Sequence, residues 1–172
     1  MDSGNIGFVL ICAAFVFVMT PGLAMFYGGL VRKKNVVNTM MTSIFIIGIG
    51  IVMWVLFGYS LSFAPSGNAF IGDFRWLGLE GVSLTEGYTD DASIPNMVFS
   101  AFQMMFAVIT PALITGAVAG RMKFKSIFVF TIFWSLIVYY PLAHMVWGQG
   151  GLLGADGIGA LDFAGGDVVH IS

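Results

Sequence analysis

Four long uncharged runs constrain this chain more than any other feature. Residues 6–31, 36–63, 92–120 and 126–155 contain no Asp, Glu, Lys or Arg. A hydrocarbon layer about 30 Å thick is crossed by about 20 apolar helical residues, so each run is long enough to span it with length left for tilt. In lipid the backbone must bond to itself, which leaves helices or closed barrels. Barrel strands are short and alternate apolar with polar residues. These runs are continuously apolar and predict helices. The fold class read from the sequence is all-α, a polytopic membrane bundle. Spans are expected over residues 6–31, 36–63, 95–120 and 126–147, with a fifth helix starting near 165 and cut off at 172. All are read as parts of one membrane domain covering 1–172. Composition agrees. The chain is 58% hydrophobic and 9% charged, against roughly 25% charged in soluble domains.

The charges set an expected orientation. Six of the seven basic residues form two clusters, Arg32, Lys33, Lys34 and Arg121, Lys123, Lys125. Loops rich in Lys and Arg stay in the cytoplasm. The two clusters are therefore read as inner turns. The segments carrying Asp2, Asp73, Glu80, Glu86, Asp90, Asp91, Asp156 and Asp162 are read as outer, and the N-terminus is placed outside. No Lys- or Arg-led region precedes the first apolar run, which is also too long for a signal-peptide core, so it is read as a retained helix. The one cysteine, Cys12, excludes an intramolecular disulfide. No basic face suggests nucleic acid. Two histidines without clustered Cys or carboxylates give no zinc site, and no cofactor is expected. Neither a nucleophilic triad nor a phosphate-binding loop is present as a motif, and the chain is not read as an enzyme.

This orientation brings unusual residues to one depth. Phe99, Phe102 and Phe106 share a face of the third helix at i, i+3, i+7. Trp147 ends the fourth helix, with His144 a turn below. Asp162 precedes the fifth helix, and His170 lies about 8 Å beyond Gly165 along it. A Phe stripe equally suits lipid contact, a terminal Trp suits an interfacial anchor, Asp162 suits a helix cap, and His144 suits a bond to a neighbouring helix. His170 is different, because an ionisable group inside a span is costly and points to a polar pathway. Aromatic faces attract small cations. These residues alone suggest a cation or proton path near the outer mouth. Gly116-x-x-x-Gly120 is a small-xxx-small pair suited to close helix contact. Pro21 and Pro111 are read as tolerated kinks.

Three stretches then resemble one family, the ammonium transporters (Amt/Mep/Rh), and its Amt/Mep branch in particular. They are Pro21-Gly22-x-Ala24-x-Phe26-Tyr27-Gly28-Gly29-Leu30-Val31-Arg32-x-Lys34-Asn35, Ala143-His144-Met145-Val146-Trp147-Gly148, and Asp162-Phe163-Ala164-Gly165-Gly166-Asp167-Val168-Val169-His170-Ile171. The resemblance implies the N-terminal part of an eleven-helix fold of two inverted halves, with a pore in each protomer of a homotrimer in the cell membrane. It implies that Phe102 and Trp147 recruit ammonium, Phe106 is a ring of the gate, Asp162 gives electrostatic support, and His170 is the first of two pore histidines. The second histidine, a second gate Phe and a small polar recruiting residue are expected beyond Ser172. Asp167 departs from the pattern, where many relatives have Thr or Ser. The implied partners are ammonium or ammonia, the lipid bilayer, further copies of the chain and a cytoplasmic regulatory protein.

A bare cation at the bilayer centre costs from a few to above 10 kcal/mol. The expected design is recruitment of ammonium, deprotonation near the gate and passage of ammonia past His170. The competing reading is an ammonium sensor, the same membrane module coupled to a cytoplasmic signalling domain. A non-conducting helical anchor, and haem held by His144 and His170, are more distant.

Overall fold

The computed structural model describes residues 1–65, 68–155 and 157–172. Ser66 and Gly67, expected in a loop, and Asp156, expected outside, lie outside the described residues. Among the described residues the regular structure is helical throughout. Four helices are long and apolar enough to cross a membrane: α1 (Ser3–Leu30), α2 (Lys33–Phe63), α3 (Asn96–Val118) and α4 (Phe124–Trp147). A single turn, α5 (Gly166–Val169), follows.

Helix ends follow local chemistry. α1 begins earlier than its apolar run because Asp2 caps it, Oδ1 accepting the Asn5 N–H at 2.8 Å. α2 opens with a 3-10 turn over Lys33–Asn35. Pro95 stands just before α3 as its cap, in extended conformation, and not within its first turn. α3 stops short of 120, where Gly120 turns to φ 71. Pro21 and Pro111 sit inside α1 and α3. Both α2 and α4 carry one π-helical turn, at Trp54–Gly58 and Ser135–Tyr139.

The chain divides into two compact units, Met1–Ile51 with Val82–Val129, and Val52–Gly81 with Phe130–Ser172. In the first, α1 packs on α3. The buried residues of α1 are small, Ala13, Thr20, Ala24 and Gly28, with spacings of seven, four and four that keep them on one face. Much of the rest of α1 is apolar and exposed. Phe15 and Leu30 are each 70% exposed, as expected of a helix whose other faces meet lipid or protein. At Gly116 a Cβ would run into the ring of Tyr27, whose Oη donates to Leu113 O at 3.0 Å. The first glycine of the small-xxx-small pair is therefore where α1 and α3 approach. Between α2 and α3, the hydroxyls of Ser43 and Thr115 are hydrogen-bonded at 3.0 Å, and Thr115 Oγ1 donates to Ala112 O at 2.7 Å. Ile46, Ala112 and Ile127 form the apolar core beside them.

The second unit is built of rings. Trp54, Tyr59, Phe63, Tyr139 and Tyr140 are all fully buried. Trp54 meets Tyr59, Phe63 and Tyr140 at centroid distances of 5.8, 6.1 and 6.1 Å, in the tilted and edge arrangements that rings prefer. Trp76 stacks on Tyr59 at 5.4 Å. Ser60 Oγ donates to Asp73 O at 2.8 Å and accepts the Trp76 N–H at 3.0 Å, so the chain after α2 folds back on that helix.

Candidate functional site

The end of α4 is where several sequence candidates come together. Its last carbonyls have no partners within the helix, and the glycine-rich stretch that follows supplies them. Gly148 N–H donates to His144 O at 2.9 Å, and Met145 O accepts from both Leu153 and Gly154. Ile158 donates to Leu152 O and Ala160 to Leu153 O. The loop therefore returns the chain to the end of α4 and delivers Asp162 to Trp147.

Trp147, half-buried as the last residue of α4, donates its indole Nε1–H to Asp162 Oδ2 at 2.7 Å. The other carboxylate oxygen, Oδ1, accepts the Asp167 backbone N–H at 3.3 Å. Asp162 therefore holds both the Trp147 indole and the start of α5. The helix-start bond expected of Asp162 is present on Oδ1, and the second oxygen is left for the indole. Gly165, in the left-handed region at φ 78, turns the chain into α5. Asp167 falls in the first turn of α5, where a negative charge suits the unpaired N–H groups. His170 closes α5, its N–H donating to Gly166 O at 2.9 Å, and its side chain is exposed.

His144 is fully buried. Its bonds go to backbone carbonyls, with Nδ1 3.1 Å from Ser62 O and Nε2 2.9 Å from Asn68 O. The partners are the last turn of α2 and the segment after it.

Phe102 and Phe106 lie in the first unit, both half-buried on α3, and meet edge to face at 5.1 Å and 80°. Phe106 O accepts the Thr110 hydroxyl at 2.6 Å. The third ring of the stripe, Phe99, is stacked on Tyr88 at 4.9 Å and 7°. Sequence reasoning missed Tyr88. It sits in an irregular segment, where no spacing announces its partner. Trp147, Asp162 and His170 belong to the second unit.

These features define a multi-pass helical membrane protein with an aromatic and acidic cluster at the end of one span. The profile of the Ammonium Transporter Family matches residues 7–172, and the chain belongs to that family. It is 52% identical to an ammonium transporter of Bacillus subtilis over 172 residues, covering 100% of this chain and 41% of that protein. It is 44% identical to an ammonium transporter of Aquifex aeolicus over 174 residues, covering 100% and 40%. The chain thus spans about two fifths of the length of these relatives. The crystal structure of Candida albicans Mep2 superposes with a TM-score of 0.86 at 32% identity, covering 99% of this chain and 36% of that one. A solved structure described as a sensor Amt protein gives 0.80 at 28% identity, covering 96% and 40%.

Proposed function

We propose that the whole protein moves ammonium or ammonia across the cell membrane. In this reading Phe102 and Trp147 recruit the cation, Phe106 gates, Asp162 holds negative charge at the recruiting ring, and ammonia passes His170. Residues 1–172 supply the N-terminal part of one membrane domain, with the N-terminus outside and the clusters at Arg32–Lys34 and Arg121–Lys125 inside. Homotrimer assembly and a cytoplasmic regulatory partner follow from the same family reading.

The observation that carries the proposal is the 2.7 Å bond from Trp147 to Asp162 in a chain of this family. The indole face attracts a cation. The carboxylate fixes the ring's edge and adds negative charge without having to touch the ion. A charge-assisted bond of this kind is worth about 1.5–3 kcal/mol, enough to hold one ring orientation.

The test uses the protein expressed from its own gene and reconstituted in liposomes. Ammonium-driven flux is measured against concentration. Trp147→Ala should raise the half-saturation concentration at least about ten-fold, and Asp162→Ala should lower flux at least as far. Wild-type curves in both variants would overturn the proposal. A second reading, ammonium sensing, is favoured by the likeness to the sensor Amt protein. It predicts saturable ammonium binding without flux in the same liposomes.

A further inference from the structure

We infer that His144 is a positioning residue for the Trp147–Asp162 pair, acting by fastening the end of α4 to the end of α2. This rests on the transport reading only for its kinetic consequence.

The bonds at the end of α2 show why the ring is needed. Three of its last carbonyls have located partners. Ser60 O takes the Ala64 N–H at 3.0 Å and Leu61 O takes the Gly72 N–H at 2.7 Å. Ser62 O takes the His144 ring. A histidine from another helix thus completes the cap of α2, a role usually filled from the helix's own following residues. The same ring reaches Asn68 O, and the next residue, Ala69, accepts the Leu152 N–H at 2.9 Å. The segment after α2 is therefore tied twice, to α4 by His144 and to the loop after α4 by Leu152. Trp147 lies three residues beyond His144, on the same side of the helix one turn on.

The fit is tight. A Cβ at Gly148 would lie 2.6 Å from His144 Nδ1, so the ring fills the space where the chain leaves α4. Both partners are carbonyl oxygens, which only accept. The imidazole is the donor, from one nitrogen in its neutral form and from both in its doubly protonated form. Its removal takes away the ring facing the buried Ser62 O and the Asn68 O, one turn before Trp147.

The test again uses the protein expressed from its own gene. His144→Phe keeps the volume and removes the donors; His144→Gln keeps an N–H donor. His144→Phe should raise the half-saturation concentration about ten-fold while maximal flux per folded protein stays within about two-fold, a loss of 1.4 kcal/mol in binding by the usual conversion. His144→Gln should recover most of the affinity. Unchanged half-saturation in His144→Phe, or an equal defect in both variants, would overturn the inference. If His144→Phe fails to fold, ¹⁵N-histidine spectra of the wild-type protein decide. They should show a His144 ring proton protected from exchange and shifted by a hydrogen bond, and its absence would overturn the role. The spectra do not depend on flux, so a wild-type protein with the protected proton but no transport breaks the functional reading alone.

Discussion

In residues 1–51 with 82–129, α1 packs on α3 through small side chains, whereas the buried centre of residues 52–81 with 130–172 is a cluster of rings. In the first unit Ala13, Thr20, Ala24 and Gly28 let α1 lie close to α3, with Tyr27 over Gly116. Lipid tails are as apolar as Leu, so close contact and a few polar links hold such helices. In the second unit the backbone is irregular, with two π-helical turns and long loops. There each freed carbonyl that can be followed meets a named donor: Leu61 O, Ser62 O and Met145 O meet Gly72, His144, and Leu153 with Gly154. The difference teaches that spans hold one another by close fit and a few polar links, whereas a site at the end of a span needs its backbone bonded residue by residue.

That contrast can be broken in several ways. Trp54→Ala should have the largest effect, because it opens a cavity among Tyr59, Phe63 and Tyr140. Such truncations cost about 3–5 kcal/mol in packed cores. Hydrogen exchange should rise through residues 59–76 while α3 beyond Phe106 stays protected, and an equal rise in both would show that the units are not separately held. Gly116→Leu should cost about 1–3 kcal/mol by overpacking against Tyr27, seen as a lower melting temperature with exchange rising in α1 and α3. An unchanged melting temperature would remove Gly116 from the contact. Trp147→Phe keeps a ring and removes the N–H. It should raise half-saturation at least about ten-fold, consistent with the loss of a charge-assisted bond of about 1.5–3 kcal/mol. If Trp147→Phe matches wild type, ring orientation is set by packing alone. Ser43→Ala should be smallest, near 0.6 kcal/mol, the average for a hydrogen bond between membrane helices, read from thermal unfolding in detergent.

Much of this fold was legible because uncharged runs map onto spans, and the four long helices begin and end within about three residues of the spans expected over 6–31, 36–63, 95–120 and 126–147. The ends were set by capping that a run cannot carry, such as Asp2 on α1. The π-helical turns at Trp54 and Ser135 were not legible, since one extra residue per turn leaves no mark in a continuously apolar stretch. Within the site, the Trp147 and Asp162 candidates came from spacing and from resemblance, and they are bonded. His144 was legible as an unusual residue but not in its partners, which lie 82 and 76 residues away in the chain. Tyr88 was invisible because it sits in an irregular segment, where no spacing points to Phe99.

Asp162 has one oxygen on an indole and the other on a backbone amide. The carboxylate is planar and short, so it works as a strut. Its removal would release two things at once, the edge of the Trp147 indole and the opening turn of α5, the turn that His170 closes.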